Sequence, residues 1–163
     1  MATIGLIRVD DRLIHGQVVT KWIHHTGSNR VIIVDDELVK NSFLTNIFKM
    51  AAPPGIDVMT KSTDDIAKEW MENQLGNGKI LVLFKTTKAL NAAYEKGFKF
   101  DYVQIAGLGA GPGKKVVFKT VSLSNEDAET LKELGEKKVN IIFQSIPEEK
   151  SVDLQSILKK YFK

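Results

Sequence analysis

The chain has 163 residues, no cysteine, and 23 basic against 20 acidic side chains, for a formal net charge of +3. Its 43% apolar and 26% charged residues are the balance of an ordinary globular domain, which excludes a disordered tail, a collagen-like chain and a coiled coil. Without cysteine there is no disulfide framework, zinc–thiolate site, iron–sulfur cluster or thiol nucleophile.

The basic excess is lysine spread in doublets such as Lys114-Lys115, Lys137-Lys138 and Lys159-Lys160. Such doublets read as solvated helix faces, so no nucleic-acid partner is expected. Ile4-Gly5-Leu6-Ile7 is interrupted by Arg8 and Asp10 before a secretory apolar region can form. No apolar run approaches the ~18 residues of a membrane span, so the expectation is a cytoplasmic chain with no membrane insertion.

Thr3 to Val9 predicts a first strand, and Val18, Val19, Trp22 and Ile23 then share one helical face. Val31 to Val34 predicts the second strand. Leu44, Ile47, Phe48 and Ala51 form a second helical face, which is expected in the core and ends at Pro53-Pro54-Gly55. Ile56 to Thr60 follows as a strand. Ser62 with Asp65 marks the next helix start, and Gly76-Asn77-Gly78 marks its end.

Ile80 to Phe84 and Tyr102 to Ile105 are near-continuous apolar strands, the kind covered on both faces of a parallel sheet. Lys114 to Leu123 falls outside the simple alternation and reads as an added strand. Ser124 with Asp127 starts another helix, Val139 to Phe143 is a strand, and Leu154, Ile157, Leu158 and Tyr161 repeat a helical spacing. This order predicts one α/β domain over residues 1–163: an open, mostly parallel, doubly wound sheet with helices on both faces. Ligands of such sheets bind beyond the carboxyl ends of the strands, so chemistry is sought in the strand-end loops.

The first such loop is Arg8-Val9-Asp10-Asp11-Arg12-Leu13-Ile14-His15-Gly16-Gln17-Val18, which holds two of the three arginines and one of the three histidines. His15 stands at the head of the first helix, where free N–H groups and the helix dipole favour an anion. A neutral imidazole has a ring lone pair that can attack phosphorus. Arg12, Gly16 and Gln17 are the candidate phosphate contacts. Arg12 and the helix amides would supply charge and donors, Gly16 a close backbone approach, and Gln17 a neutral donor. Either Asp10 or Asp11 can hold the imidazole tautomer, and Arg8 is a supporting candidate. The alternative is a non-catalytic phosphate- or nucleotide-binding module in which the same loop only holds an anion.

This segment resembles the signature of the mannose/fructose/sorbose-type IIB component of the bacterial sugar phosphotransferase system. The likeness continues through Val34-Asp35-Asp36-Glu37, Met50-Ala51-Ala52-Pro53-Pro54-Gly55 and Val121-Ser122-Leu123-Ser124. The resemblance implies that His15 accepts a phosphoryl group from a phosphohistidine of the IIA component. His15 then passes it to a sugar of the mannose, fructose, sorbose or amino-sugar class held by the membrane IIC and IID components. It also implies that Arg12 contacts the phosphoryl group, and that the chain is recruited to the membrane complex.

Ala106 to Lys115 is glycine-rich but breaks both nucleotide motifs. Pro112 replaces the third glycine of the dinucleotide pattern, and Leu108 and Lys115 break the P-loop. It reads as a flexible loop, and its Ala106-Gly107-Leu108 stands where the family commonly has Gly-Gly-Met. Asp35, Asp36 and Glu37 read as a helix start rather than Mg²⁺ ligands. His24 and His25 read as surface residues near a helix C-terminus. No metal and no cofactor are expected.

Overall fold

Residues 1–163 are described by a computed structural model, the side chains of Gln17 and Val18 excepted. In chain order the elements are β1 (Thr3–Asp10), α1 (Gly16–Thr26), β2 (Arg30–Val34), α2 (Ser42–Ala51), β3 (Asp57–Lys61), α3 (Thr63–Asn73), β4 (Lys79–Phe84) and α4 (Thr87–Lys96). They continue with β5 (Tyr102–Gly107), β6 (Lys115–Phe118), β7 (Val121–Leu123), α5 (Asn125–Glu136), β8 (Asn140–Phe143), β9 (Val152–Asp153) and α6 (Leu154–Tyr161). One sheet has the order β3-β2-β4-β1-β5-β8-β9, parallel throughout except for the β8–β9 pair. This is the mostly parallel, doubly wound sheet that the alternation predicts.

Successive strand side chains point to opposite faces, so an all-apolar central strand feeds two cores at once. Val31, Ile33, Leu81 and Leu83 pack with Val19, Trp22 and Ile23 of α1. Ile32, Val34, Ile80, Val82 and Phe84 pack on the other side with Ile66, Leu90, Leu131 and Leu134 from α3, α4 and α5. Helices therefore cover both faces, and past the charged first residues, Arg30 and Lys79, a charge in β2 or β4 would have no route to water. The exceptions lie in β1 and β5: Arg8 and Gln104 are fully buried and sit opposite each other in the β1–β5 register.

The segment Lys114 to Leu123 forms an antiparallel hairpin, β6–β7, in a sheet of its own. The glycine-rich loop before it is anchored at its start, where a flexible loop was expected. Ala106 and Gly107 belong to β5, and Leu108 donates to Thr120 O at 3.1 Å and accepts from Ser122 N at 2.8 Å. The second helical face also departs from expectation. α2 has no buried residue, with Phe43 72% and Met50 84% exposed and Leu44 and Ile47 both more than a third exposed. It lies over the edge strand β3, where there is too little sheet beneath it to cover more than the side holding Phe48.

Local start signals operate as written in the chain. Ser62 Oγ accepts from Asp65 N, and Ser124 and Asp127 form a reciprocal capping box. The α3 end turns left-handed earlier than the glycines alone suggest: Gln74 (φ 50°) and Leu75 (φ 64°) come first, and Gly76 (φ 81°) and Gly78 (φ 90°) follow at positive φ. Asp35 accepts from Leu38 N and starts a single 3-10 turn, whereas α2 itself is capped by Asn41. Asp36 reaches across to accept from Thr63 N and Oγ1 at the head of α3. Ser124→Ala removes one bond of the capping box and is expected to cost about 1 kcal/mol, read as a lower urea midpoint at unchanged slope.

Candidate active site

β1 delivers Asp10 to the carboxyl end of the sheet, next to Gly107 of β5. The chain then turns: Asp11 N donates to Gly107 O and Leu13 N to Asp10 O, both at 2.9 Å. Leu13 takes a left-handed conformation (φ 56°) that a side chain adopts only at some cost, and its burial against the α1 core offsets that cost. His15 is the extended residue before α1, and its side chain does not cap the helix. Gly16 opens the helix at φ 47°, and beyond its chain neighbours no atom of the described residues lies within 4 Å of where its Cβ would stand. Its glycine therefore answers the backbone turn, not a crowded neighbour. Gln17, a candidate donor, and Val18 of the α1 apolar face have side chains outside the described residues.

Asp10 is the centre of this geometry. Its side chain is fully buried, and its Oδ1 accepts from Arg12 N at 3.1 Å and Arg12 Nε at 2.9 Å. Its Oδ2 accepts from Arg8 Nη2 at 3.1 Å, Arg12 Nη2 at 3.0 Å and His15 Nε2 at 3.0 Å. Burial alone would push this carboxyl up. The His15 and Arg12 hydrogen bonds and the Arg8 charge outweigh burial and hold it well below the usual carboxylate range. An ionised carboxylate only accepts, so His15 donates from Nε2 and a neutral ring keeps its lone pair on Nδ1.

The two arginines differ in access. Arg8 is fully buried, and desolvation lowers it to about 10, so it stays cationic at neutral pH. Its guanidinium lies over the Trp22 ring, 5.6 Å from the centroid, while Trp22 Nε1 donates to Ser145 O at 2.8 Å. Arg12 is 41% exposed, and the Asp10 hydrogen bond raises its pKa further. It grips Asp10 through Nε and Nη2, which leaves Nη1 outside that grip.

Asp11 takes a different part from Asp10. Its Oδ2 accepts from Gly109 N at 2.6 Å and ties the glycine-rich loop to the histidine loop. Together with Arg12, Ala110, Lys119, Thr120 and Ser122, these residues line a cleft of about 380 Å³ beside the site. Gly107 must lack a side chain, because a Cβ there would collide with the Asp10 carboxylate and lie 3.2 Å from Arg12 Nε.

Asp35, Asp36 and Glu37 do not join the site, and no cluster of metal-ligating side chains occurs among the described residues. His24 and His25 lie in the last turn of α1, with the His25 ring edge-on to Trp22 at 5.5 Å. Two site neighbours went unread in the sequence. Gln104 accepts from Arg8 Nη1, and Gln104 Nε2 donates to Gln144 Oε1 at 3.3 Å. A glutamine inside the otherwise apolar strand Tyr102 to Ile105 was the available signal.

Fold and site together define a doubly wound α/β protein that presents an imidazole from a strand-end loop, backed by a buried carboxylate. Residues 4–163 match the family model for the PTS system sorbose subfamily IIB component, and the chain belongs to that family. The sorbose-specific EIIB component of Lacticaseibacillus casei is 30% identical over 159 residues, covering 98% of this chain and 97% of that protein. The mannose-specific EIIAB component of Escherichia coli K12 is 27% identical over 157 residues, 96% of this chain; the match spans only 49% of that longer protein. The crystal structure of manxB from Thermoanaerobacter tengcongensis superposes with a TM-score of 0.93 at 36% identity, covering 100% of this chain and 99% of that one. IIB components are phosphotransferase components, which gives the chain a transferase role.

Asp10→Asn tests the electrostatic centre. A carboxylate with a depressed folded pKa adds stability that is complete above its unfolded value of about 3.9 and is lost as pH falls through the folded value. The stability gap between the parent protein and Asp10→Asn should therefore narrow between about pH 6 and about pH 3 in urea titrations. A constant gap would show that Asp10 gains nothing from its ionised form.

Proposed function

We propose that His15 receives a phosphoryl group on Nδ1 from the phosphohistidine of a IIA partner and passes it to a sugar held by membrane IIC and IID components. The observation that carries this reading is the 3.0 Å bond between His15 Nε2 and the buried Asp10 carboxylate. It supports Nδ1 as the nucleophile: the Nδ1 lone pair forms the new N–P bond while the donor's N–P bond breaks and its electron pair returns to the donor imidazole. Positive charge growing on the His15 ring then faces Asp10, already positioned before the reaction.

Arg12 acts on the other charge. Its grip on Asp10 fixes the guanidinium plane, and its remaining Nη1 edge meets the equatorial phosphoryl oxygens. Gly16 and the first amides of α1 add donors at a positive dipole end. In the second step a sugar hydroxyl attacks phosphorus and gives up its proton to solvent or a base of the membrane component, the O–P bond forms, the N–P bond breaks, and Nδ1 regains its lone pair. His15 is 22% exposed, enough to meet two partners in turn. The chain works on the cytoplasmic side of the membrane complex; no helix among the described residues is long and apolar enough to cross a membrane. The sugar belongs to the class spanned by mannose, fructose, sorbose and amino sugars.

Incubation with a phosphorylated IIA domain should give one acid-labile, alkali-stable phosphate on His15, and His15→Ala should take up none. Arg12→Ala should remain folded and transfer about 10²-fold more slowly, as expected for losing one transition-state donor. Phosphate mapped to another residue, or a fully labelled His15→Ala, overturns the relay and leaves the anion-holding module.

A further inference from the structure

The side chains behind Asp10 form a single line of hydrogen bonds. Arg8 Nη1 donates to Gln104 Oε1, Gln104 Nε2 donates to Gln144 Oε1 at 3.3 Å, and Gln144 Nε2 donates to Glu149 O at 2.8 Å. Both ends of this line permit one direction only. A guanidinium has donors and no acceptor, and a backbone carbonyl accepts and cannot donate. Gln104 must therefore turn its carbonyl toward Arg8 and its amide toward Gln144, and Gln144 must turn its amide toward Glu149. Reversing either amide would set donor against donor or acceptor against acceptor inside the protein.

Gln104 is fully buried, and its partner Arg8 is fully buried as well. Arg8 Nε has no hydrogen-bond partner among the described residues, so every hydrogen bond that orients the guanidinium over Trp22 runs through its Nη groups. One of these holds Asp10 Oδ2, and the other rests on Gln104 with a longer contact to Gln144 O at 3.4 Å. Arg12 holds Asp10 from one side, and Arg8, resting on Gln104, meets Asp10 Oδ2 from another, at the same atom that accepts from His15 Nε2.

We infer that Gln104 is a positioning residue for His15. Through Arg8 and Asp10 it keeps the imidazole as the Nε2–H tautomer with Nδ1 free, and Gln144 locks its orientation from the loop after β8. Gln104 touches neither His15 nor any reacting atom. Its role rests on the reading of His15 as the phosphoryl carrier only for its effect on transfer rate; the tautomer it sets is a property of the unphosphorylated chain.

The test is ¹⁵N NMR of the histidine rings in the full chain, together with the rate of phosphoryl uptake from phosphorylated IIA. In the parent protein His15 should show one protonated nitrogen, Nε2, and one lone-pair nitrogen, Nδ1. Gln104→Leu, which removes acceptor and donor together, should give averaged ring signals and uptake slowed by about tenfold, on the scale of a misplaced reacting group. Gln104→Glu keeps the acceptor toward Arg8 and should restore the parent tautomer and most of the rate. Gln144→Leu, at a half-buried position, should shift the ring signals in the same direction by a smaller amount.

A folded Gln104→Leu with parent ring signals and parent uptake overturns the inference. If Gln104→Leu does not fold, Gln144→Leu decides, and parent ring signals there overturn it equally. Altered ring signals in the variants, with no phosphate on His15 in the parent, would sink the relay reading while leaving the positioning role standing.

Discussion

The candidate site depends on one buried carboxylate. Asp10 has no contact with water, yet five hydrogen bonds converge on it from Arg8, Arg12 and His15. An isolated carboxylate in that place would take up a proton rather than stay charged. Hydrogen bonds from His15 and Arg12 and the charge of Arg8 reverse that outcome, and an ionised Asp10 can only accept. Everything nearby follows from that restriction: which nitrogen of His15 carries the proton, how Arg12 is turned, and why Arg8 must be buried beside it. Removing one cation would strand charge in the interior, so these residues act as a unit.

That unit also restricts the backbone around it. Gly107 stands next to Asp10 in the sheet because no Cβ fits between the carboxylate and Arg12. The left-handed Leu13 and Gly16 turn the chain so that His15 meets Asp10 from the head of α1. Asp11, one residue on, faces away and holds Gly109, which joins the glycine-rich loop to the same rim. Adjacent aspartates thus have unlike work: one organises charge inside, the other fastens two loops at the surface.

Much of the fold was legible in the chain because its signals are local. Near-continuous apolar runs in β2, β4 and β5 can be satisfied only by cover on both faces, and Ser124 with Asp127 announces a helix start within four residues. α2 was misread, because a helical apolar face says nothing about how much sheet lies beneath it. Phe43 and Met50 remain exposed on a helix that rides an edge strand. The glycines after α3 do mark its end, but Gln74 and Leu75 turn left-handed before Gly76 and Gly78, a step that no glycine announces.

The sequence by itself determined the class of fold, the histidine loop as the place to look, and a family resemblance that the full-length family match upholds. Its rarest basic residues were the guide, since Arg8 and Arg12 both fall in that loop. Which aspartate meets the imidazole was open, because Asp10 and Asp11 differ by one position along a strand end and so point opposite ways. Tertiary structure alone decided that choice. It also brought in Gln104 and Gln144, which lie 96 and 136 residues from Arg8 and reach it only because β5 and β8 follow β1 in the sheet. Residue spacing records what neighbours along the chain can do; the order of strands in a sheet is set by packing, and no local pattern carries it.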